Sequence, residues 1–156
     1  MTALLLSACG YHLRGGGAMS STLKNIYLEG GSVAMREQFR KTMEMAAVPL
    51  ASSPENASLI VRLFNEGNQR RVLALNSGGT ANDFELAYRF DYDIVDSDNK
   101  VLMARQPVEI KREYYNDQLA IIAKGNEETL IRNEMYQQAV RTIVNRARFA
   151  LKPSPQ

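Results

Sequence analysis

Asp83-Phe84-Glu85-Leu86-Ala87-Tyr88-Arg89-Phe90-Asp91-Tyr92-Asp93-Ile94 is the stretch that decides the fold. Phe84, Leu86, Tyr88, Phe90, Tyr92 and Ile94 alternate with Asp83, Glu85, Ala87, Arg89, Asp91 and Asp93. Strict period two means a strand with one face buried and the other wet. At ~3.4 Å per residue it runs roughly 40 Å, longer than most strands. Downstream, Asp96-Ser97-Asp98-Asn99 turns the chain, and Val101 to Tyr115 returns as a strand with Pro107 at a bulge or an edge. Upstream, Asn76-Ser77-Gly78-Gly79 is a turn of residues that tolerate positive φ. Before it lie two extended runs, Ala57 to Asn65 and Arg70 to Leu75. In the first, Leu59, Val61 and Leu63 face one way, and Ile60, Arg62 and Phe64 the other. Glu66-Gly67-Asn68-Gln69 separates the runs, as a bulge in one long strand or a turn between two.

Two helices complete the pattern. Ser32 is placed to cap a helix over Val33 to Val48, where Met35, Phe39 and Met43 form a stripe with Ala46 and Ala47, and Pro49 stops it. Asn126 is placed to cap a longer one, Glu127 to about Leu151, with Ile131, Met135, Ala139, Ile143, Ala147 and Leu151 spaced by four. Glu127 and Glu128 favour its positive end, and Arg146, Arg148 and Lys152 its negative end. A short strand over Leu23 to Leu28 precedes Gly30-Gly31. The order β-α-β-β-β-α predicts an α+β two-layer sandwich, with both helices on one face of a four-stranded, mixed but mostly antiparallel sheet. The first strand–helix–strand unit is a crossover, which would pair its strands in parallel.

The composition is that of an ordinary globular chain. Of 156 residues, 45% are hydrophobic and 23% charged, and the net charge of +2 is too small to argue for nucleic acid. The single cysteine, Cys9, cannot form an internal disulfide. Thr2 to Ala8 is apolar or small and resembles the back half of a secretory signal peptide. Leu6-Ser7-Ala8-Cys9 resembles a bacterial lipobox. That implies a diacylglyceryl thioether on Cys9, cleavage before it, and acylation of the new amino group. Two or more chains anchor a protein stably where one does not. Gly10, where an inner-membrane retention signal would have Asp, implies delivery to the outer membrane. Residues 1–8 are then a signal remnant, 9–21 a lipidated anchor with a Gly15-Gly16-Gly17 tether, 22–152 one α/β domain and 153–156 a tail.

Cys9-Gly10-Tyr11-His12-Leu13-Arg14 resembles the mature start of the LPS-assembly lipoproteins of the LptE family. Ala120 to Glu128 resembles that family's entry to its last helix, and Ile131-Arg132-Asn133-Glu134-Met135-Tyr136 its Glu-Met-Tyr run. The resemblance implies a non-enzymatic outer-membrane lipoprotein inside the lumen of the LptD barrel, one to one. There it plugs and helps assemble the barrel and binds lipopolysaccharide during delivery to the outer leaflet. It implies lipopolysaccharide contact at Lys124, which aligns with a lysine of the family motif. Arg70 and Arg71 would share that site if their end of the strand folds beside Lys124. His12 and the turn residues Asn76, Gly78 and Gly79 are expected to meet the barrel. The alternative is a generic envelope lipoprotein adaptor without lipid binding.

Other chemistry is poorly supported. His12 is the only histidine and has no partner set for zinc or a nucleophilic triad, so no catalytic residue, metal or cofactor is expected beyond the lipid on Cys9. Asp91, Asp93, Asp96 and Asp98 lack the spacing of a calcium loop. Lys111-Arg112-Glu113-Tyr114-Tyr115 sets basic residues beside aromatics, but an anchored, exported chain would rarely meet nucleic acid.

Overall fold

The structure is a computed structural model and describes residues 25–115 and 124–150. Within it are β1 (Ile26–Glu29), α1 (Val33–Met45), a single 3-10 turn (Pro54–Asn56), β2 (Leu59–Leu75), β3 (Ala81–Val95), β4 (Val101–Tyr115) and α2 (Lys124–Ala150). The sheet order is β1-β2-β3-β4, with β1 parallel to β2 and the other pairs antiparallel. The α+β class, the mixed sheet and the crossover are as the sequence predicts. Pro107 lies on β4, an edge strand, opposite Asp91.

Hydrophobic burial holds the layers together. Met35, Phe39 and Met43 of α1 and Met135, Ala139 and Ile143 of α2 pack on Val61, Leu63, Leu86, Tyr88, Phe90, Tyr92 and Ile94. Each large side chain so buried contributes about 1.5–3 kcal/mol. The aromatic residues of β3 run as a ladder, with centroids 5.3 Å apart for Tyr88–Phe90 and 6.1 Å for Phe90–Tyr92. Tyr136 of α2 meets Tyr88 edge-on at 4.7 Å.

The second face of β3 is not uniformly wet. Glu85, Ala87, Asp93 and Val95 are all buried there. β3 is flanked on both sides, so long side chains from β2 and β4 lean over it. Arg62 covers Asp93 with donations of 2.7 and 3.0 Å, and Arg71 reaches Glu85 at 2.9 Å. Val95 packs with Ala57 and Ile60 under Tyr27 and Ala51. Arg62–Asp93, Arg71–Glu85 and Arg89–Glu109 are each directly opposite in the ladder. A one-residue slip would separate all of them, so charge pins the register on this face as apolar alternation pins it on the other.

Glu66-Gly67-Asn68-Gln69 resolves as a bulge within one strand of 17 residues. Asn65 and Glu66 together oppose Phe90, between the pairs Phe64–Asp91 and Gly67–Arg89, and Asn65 has φ 52°. The extra residue exchanges odd and even faces. Leu63 points to the helices before it, and Arg70, opposite Leu86, is on that face after it. Glu66 accepts from the Ser32 backbone N–H, from Ser32 Oγ at 2.8 Å and from Tyr88 Oη at 2.7 Å. The bulge thereby ties the start of α1 to the sheet.

Helix ends differ from expectation. Ser32 caps α1, accepting from Met35 N at 3.2 Å. The helix stops at Met45 rather than Val48, because Ala47 turns left-handed at φ 53°. Ala47 N then donates to Glu44 O at 3.0 Å and Val48 N to Met43 O at 2.9 Å, the bond pattern of a Schellman cap. Ala47 is exposed and outside the apolar stripe. α2 begins at Lys124, so Asn126 lies inside the first turn and is not its cap. The turns Asn76–Thr80 and Asp96–Lys100 share one design. In each, the first side chain accepts from the backbone N–H groups two and four residues on, at 2.9–3.0 Å, and residue four has positive φ (Gly79 76°, Asn99 60°). No described helix is long and apolar enough to cross a membrane.

Candidate functional site

The bulge decides where the expected basic residues go. Arg70 and Arg71 are neighbours in sequence but lie on opposite faces, so they do not share one location. Arg71 is on the opposite face, the bare face in that no described helix covers it, paired to Glu85. Arg70 is on the helix face, and its Nε lies 3.5 Å from Glu128 Oε2, one turn into α2. Lys124 is the first residue of α2, and its side chain lies outside the described residues. Cys9 and His12 also lie outside them, as do residues 116–123. Asn76, Gly78 and Gly79 are exposed in the β2–β3 turn, beyond the end of this cluster.

Glu128 is the hub on the helix face. Arg132, one turn further along α2, donates to Oε1 through Nε at 3.0 Å and Nη2 at 2.6 Å. Tyr114 Oη of β4 donates to Oε2 at 2.8 Å. Arg132 Nη1 also donates to Asn68 Oδ1 at 3.2 Å, and Asn68 Nδ2 donates to Tyr136 Oη at 3.0 Å. Arg70 carries its guanidinium 3.8 Å above the Phe84 ring, which stacks on Tyr114 at 5.4 Å. Three strands and α2 therefore meet at one polar knot.

The electrostatics follow from those partners. Burial alone would raise the Glu128 carboxyl. Hydrogen bonds from Arg132 and Tyr114, with the charges of Arg132 and Arg70, outweigh it and hold the group below the usual carboxylate range. Burial, then donation to Glu128, pushes the Tyr114 hydroxyl up. Glu128 is thus an anion and Tyr114 a neutral donor at neutral pH. Beside the knot is apolar surface. Val72, opposite Phe84, is exposed on the same face, while Tyr115, opposite Asp83, is exposed on the other; a cleft of about 250 Å³ at the strand ends is lined by Leu73, Asp83, Phe84, Glu113, Tyr114 and Tyr115. Guanidinium donors next to exposed apolar side chains are the two halves of an amphiphile's chemistry. Among the described residues no group of three or more His, Cys, Asp or Glu could hold a metal ion.

Sequence reasoning placed Glu128 only as a dipole partner and missed Arg132, Asn68 and Glu66 as site-forming groups. Glu128 and Arg132 are spaced i,i+4 with the acid first, the favourable order on a helix, and that signal was available.

Comparison with known proteins agrees with this architecture. The solution structure of an uncharacterised lipoprotein B from Nitrosomonas europaea superposes with a TM-score of 0.68 at 22% identity, over 87% of this chain and 88% of that one. The crystal structure of rare lipoprotein B from Shewanella oneidensis gives 0.61 at 20% identity, over 79% and 91%. At these identities the likeness shows the fold. In sequence, the chain is 21% identical over 146 residues to the LPS-assembly lipoprotein LptE of Photorhabdus laumondii, covering 92% of this chain and 79% of that protein. It is 22% identical over 152 residues to the LPS-assembly lipoprotein LptE of Pectobacterium atrosepticum, covering 94% and 80%. The sequence model described as LptE, lipopolysaccharide-assembly, matches residues 23–147, and the chain belongs to that family.

Proposed function

We infer that this chain is an outer-membrane lipoprotein of lipopolysaccharide assembly, held in the membrane by acyl chains on Cys9. Its partner is the LptD barrel, whose lumen it fills and whose assembly it assists, one copy to one barrel. Lipopolysaccharide meets it at the α2 end of the sheet, where Lys124 opens the helix and Arg70 stands on Phe84. The observation that carries this reading is that cation followed on its own face by half-exposed Val72, opposite Phe84, in a chain of this family. Lipid A offers the matching pair of phosphates and acyl chains.

The role is binding and shape rather than catalysis. Cations at this end compete with the divalent ions that bridge phosphates in lipopolysaccharide aggregates, so binding loosens the aggregate. His12 and the turn Asn76-Ser77-Gly78-Gly79 are assigned to contact with the barrel. The test is lipopolysaccharide binding by the purified protein and by Lys124→Glu. Wild-type binding with loss on charge reversal is expected. Equal binding by both would remove Lys124 from the site, and absence of binding by the wild type would leave an adaptor without lipid affinity.

A further inference from the structure

The charges of α2 are unevenly divided along its length. The first half holds Glu127, Glu128 and Glu134 with Lys124 and Arg132. From Met135 to Ala150 there is no acid, and Arg141, Arg146 and Arg148 all lie there. Among the described residues none of these three forms an ion pair. Arg141 and Arg146 are exposed, and Arg146 donates to the neutral Gln106 of β4 at 3.4 Å. The helix dipole accounts for a cation in the last turn, where Arg148 is, but it has faded by Arg141. Phe149 is three residues after Arg146, hence on the same flank, and is 73% exposed. Beside that flank, β4 carries no acid from Val101 to Val108. The adjoining β3–β4 turn has Asp96 and Asp98, of which Asp96 Oδ1 accepts from the backbone N–H groups of Asp98 and Lys100.

This part of α2 lies toward the end of the sheet at which the chain enters. α2 runs antiparallel to β4, with Arg112 donating to Gln138 and Arg146 to Gln106. β4 starts opposite Val95, where β3 ends, and β2 and β1 start at that same end, Ile60 opposite Val95 and Ile26 opposite Leu59. Cys9 precedes Asn25 by 16 residues. At ~3.5 Å per residue that is at most roughly 55 Å of chain. We propose that the second half of α2 is a membrane-contact surface. It lays Arg141, Arg146 and Arg148 against anionic phospholipid headgroups, with Phe149 at their apolar boundary, in the leaflet that holds the acyl chains of Cys9. Basic residues beside an exposed aromatic are the composition of helices that lie in a headgroup layer. The inference rests on the acyl anchor of the reading above and adds to it the orientation of the domain. Each cation near an anionic surface contributes roughly fivefold in affinity. That is weak for a free protein, but the anchored chain makes the encounter intramolecular. The opposite end, with Arg70 and the β2–β3 turn, is then held away from the phospholipids of that leaflet.

The experiment uses the acylated protein in vesicles of phosphatidylcholine, with or without phosphatidylglycerol, and brominated lipid as a quencher. The chain has no Trp, so Phe149→Trp and, at the far end of β2, Leu75→Trp are single fluorescent reporters. Phe149→Trp should be quenched when phosphatidylglycerol is present, and Leu75→Trp should not. Arg141→Gln, Arg146→Gln and Arg148→Gln together should weaken the contact about tenfold or more. Raised salt should act likewise through screening, and Lys at the same three positions should restore the quenching. Urea unfolding checks that the variants keep the fold. Quenching of Phe149→Trp that ignores phosphatidylglycerol and the three Gln substitutions, or that Leu75→Trp matches, overturns this inference and spares the anchor. Quenching that requires added lipopolysaccharide also overturns it, by giving the patch to the ligand instead of the leaflet. If the protein does not stay with vesicles through its own acyl chains, the anchor reading and this inference both fall.

Discussion

Arg70→Gln and Arg71→Gln remove the same charge from adjacent residues, yet they should differ sharply in lipopolysaccharide binding. The reason is the bulge at Asn65 and Glu66, which sends Arg70 to the α2 face and Arg71 to the bare one. The size of the Arg70 effect follows from Coulomb's law. Two unit charges 4 Å apart interact by about 1 kcal/mol in bulk water and about 4 kcal/mol at an effective dielectric of 20. Arg70 is 45% exposed, so the watery end applies, at about 1–2 kcal/mol. That is a loss of about five- to thirtyfold in affinity. Arg71 faces away and should lose less than about twofold, the residue of long-range attraction that ~0.1 M salt screens beyond roughly 10 Å. The assay is equilibrium displacement of a fluorescent lipid A probe by lipopolysaccharide, at two salt concentrations, with urea unfolding as a check on the fold. Equal losses from both variants would refute the reasoning, since they would report net charge rather than face. A larger loss from Arg71→Gln would place the ligand on the bare face.

Three further outcomes test the fold itself. Ala47→Gly should stabilise the protein by about 0.5–1 kcal/mol, because exposed Ala47 sits at φ 53° in a Schellman cap that favours glycine; the melting midpoint should rise by roughly 1–4 °C. Asp93→Ala should cost about 2–3 kcal/mol in urea unfolding, since it strips a buried carboxylate from two Arg62 donations, whereas Glu37→Ala should be near silent because its Arg40 pair is on the solvated face of α1. Burial, then donation to Glu66, raises the Tyr88 hydroxyl far above its usual value. The unfolded chain therefore loses that proton near pH ~10 while the folded one keeps it, so the contribution is intact below pH ~10 and declines as pH rises further. Urea midpoints between pH 9 and 11 should fall less for Tyr88→Phe than for wild type.

Much of this architecture is legible in the sequence because it rests on periodicity. The inward face of β3, the stripe Met35–Phe39–Met43 and the stripe along α2 each follow from spacing alone, and spacing survives any tertiary context that keeps one face dry. What periodicity cannot carry is the effect of neighbours. Glu85 and Asp93 look solvated until Arg71 and Arg62 are laid across them from β2, which requires knowing the register. The sequence points to Pro49, a strong stop, as the end of α1, because a left-handed cap at Ala47 has none of the glycine signal that usually marks one. The polar break at Glu66 was visible, but bulge and turn have the same composition. That one ambiguity propagated into the site: with a bulge, Arg70 and not Arg71 joins Glu128 and Arg132. A single inserted residue outweighed every local preference downstream, because strand parity has no memory except the count.

The most direct test of the account is co-purification. The protein, tagged at its C-terminus and expressed in its own bacterium, would be drawn from outer membranes in mild detergent. One large, heat-modifiable β-barrel recovered at one to one is the predicted result. Recovery alone, or with periplasmic proteins only, would contradict the barrel-plug account.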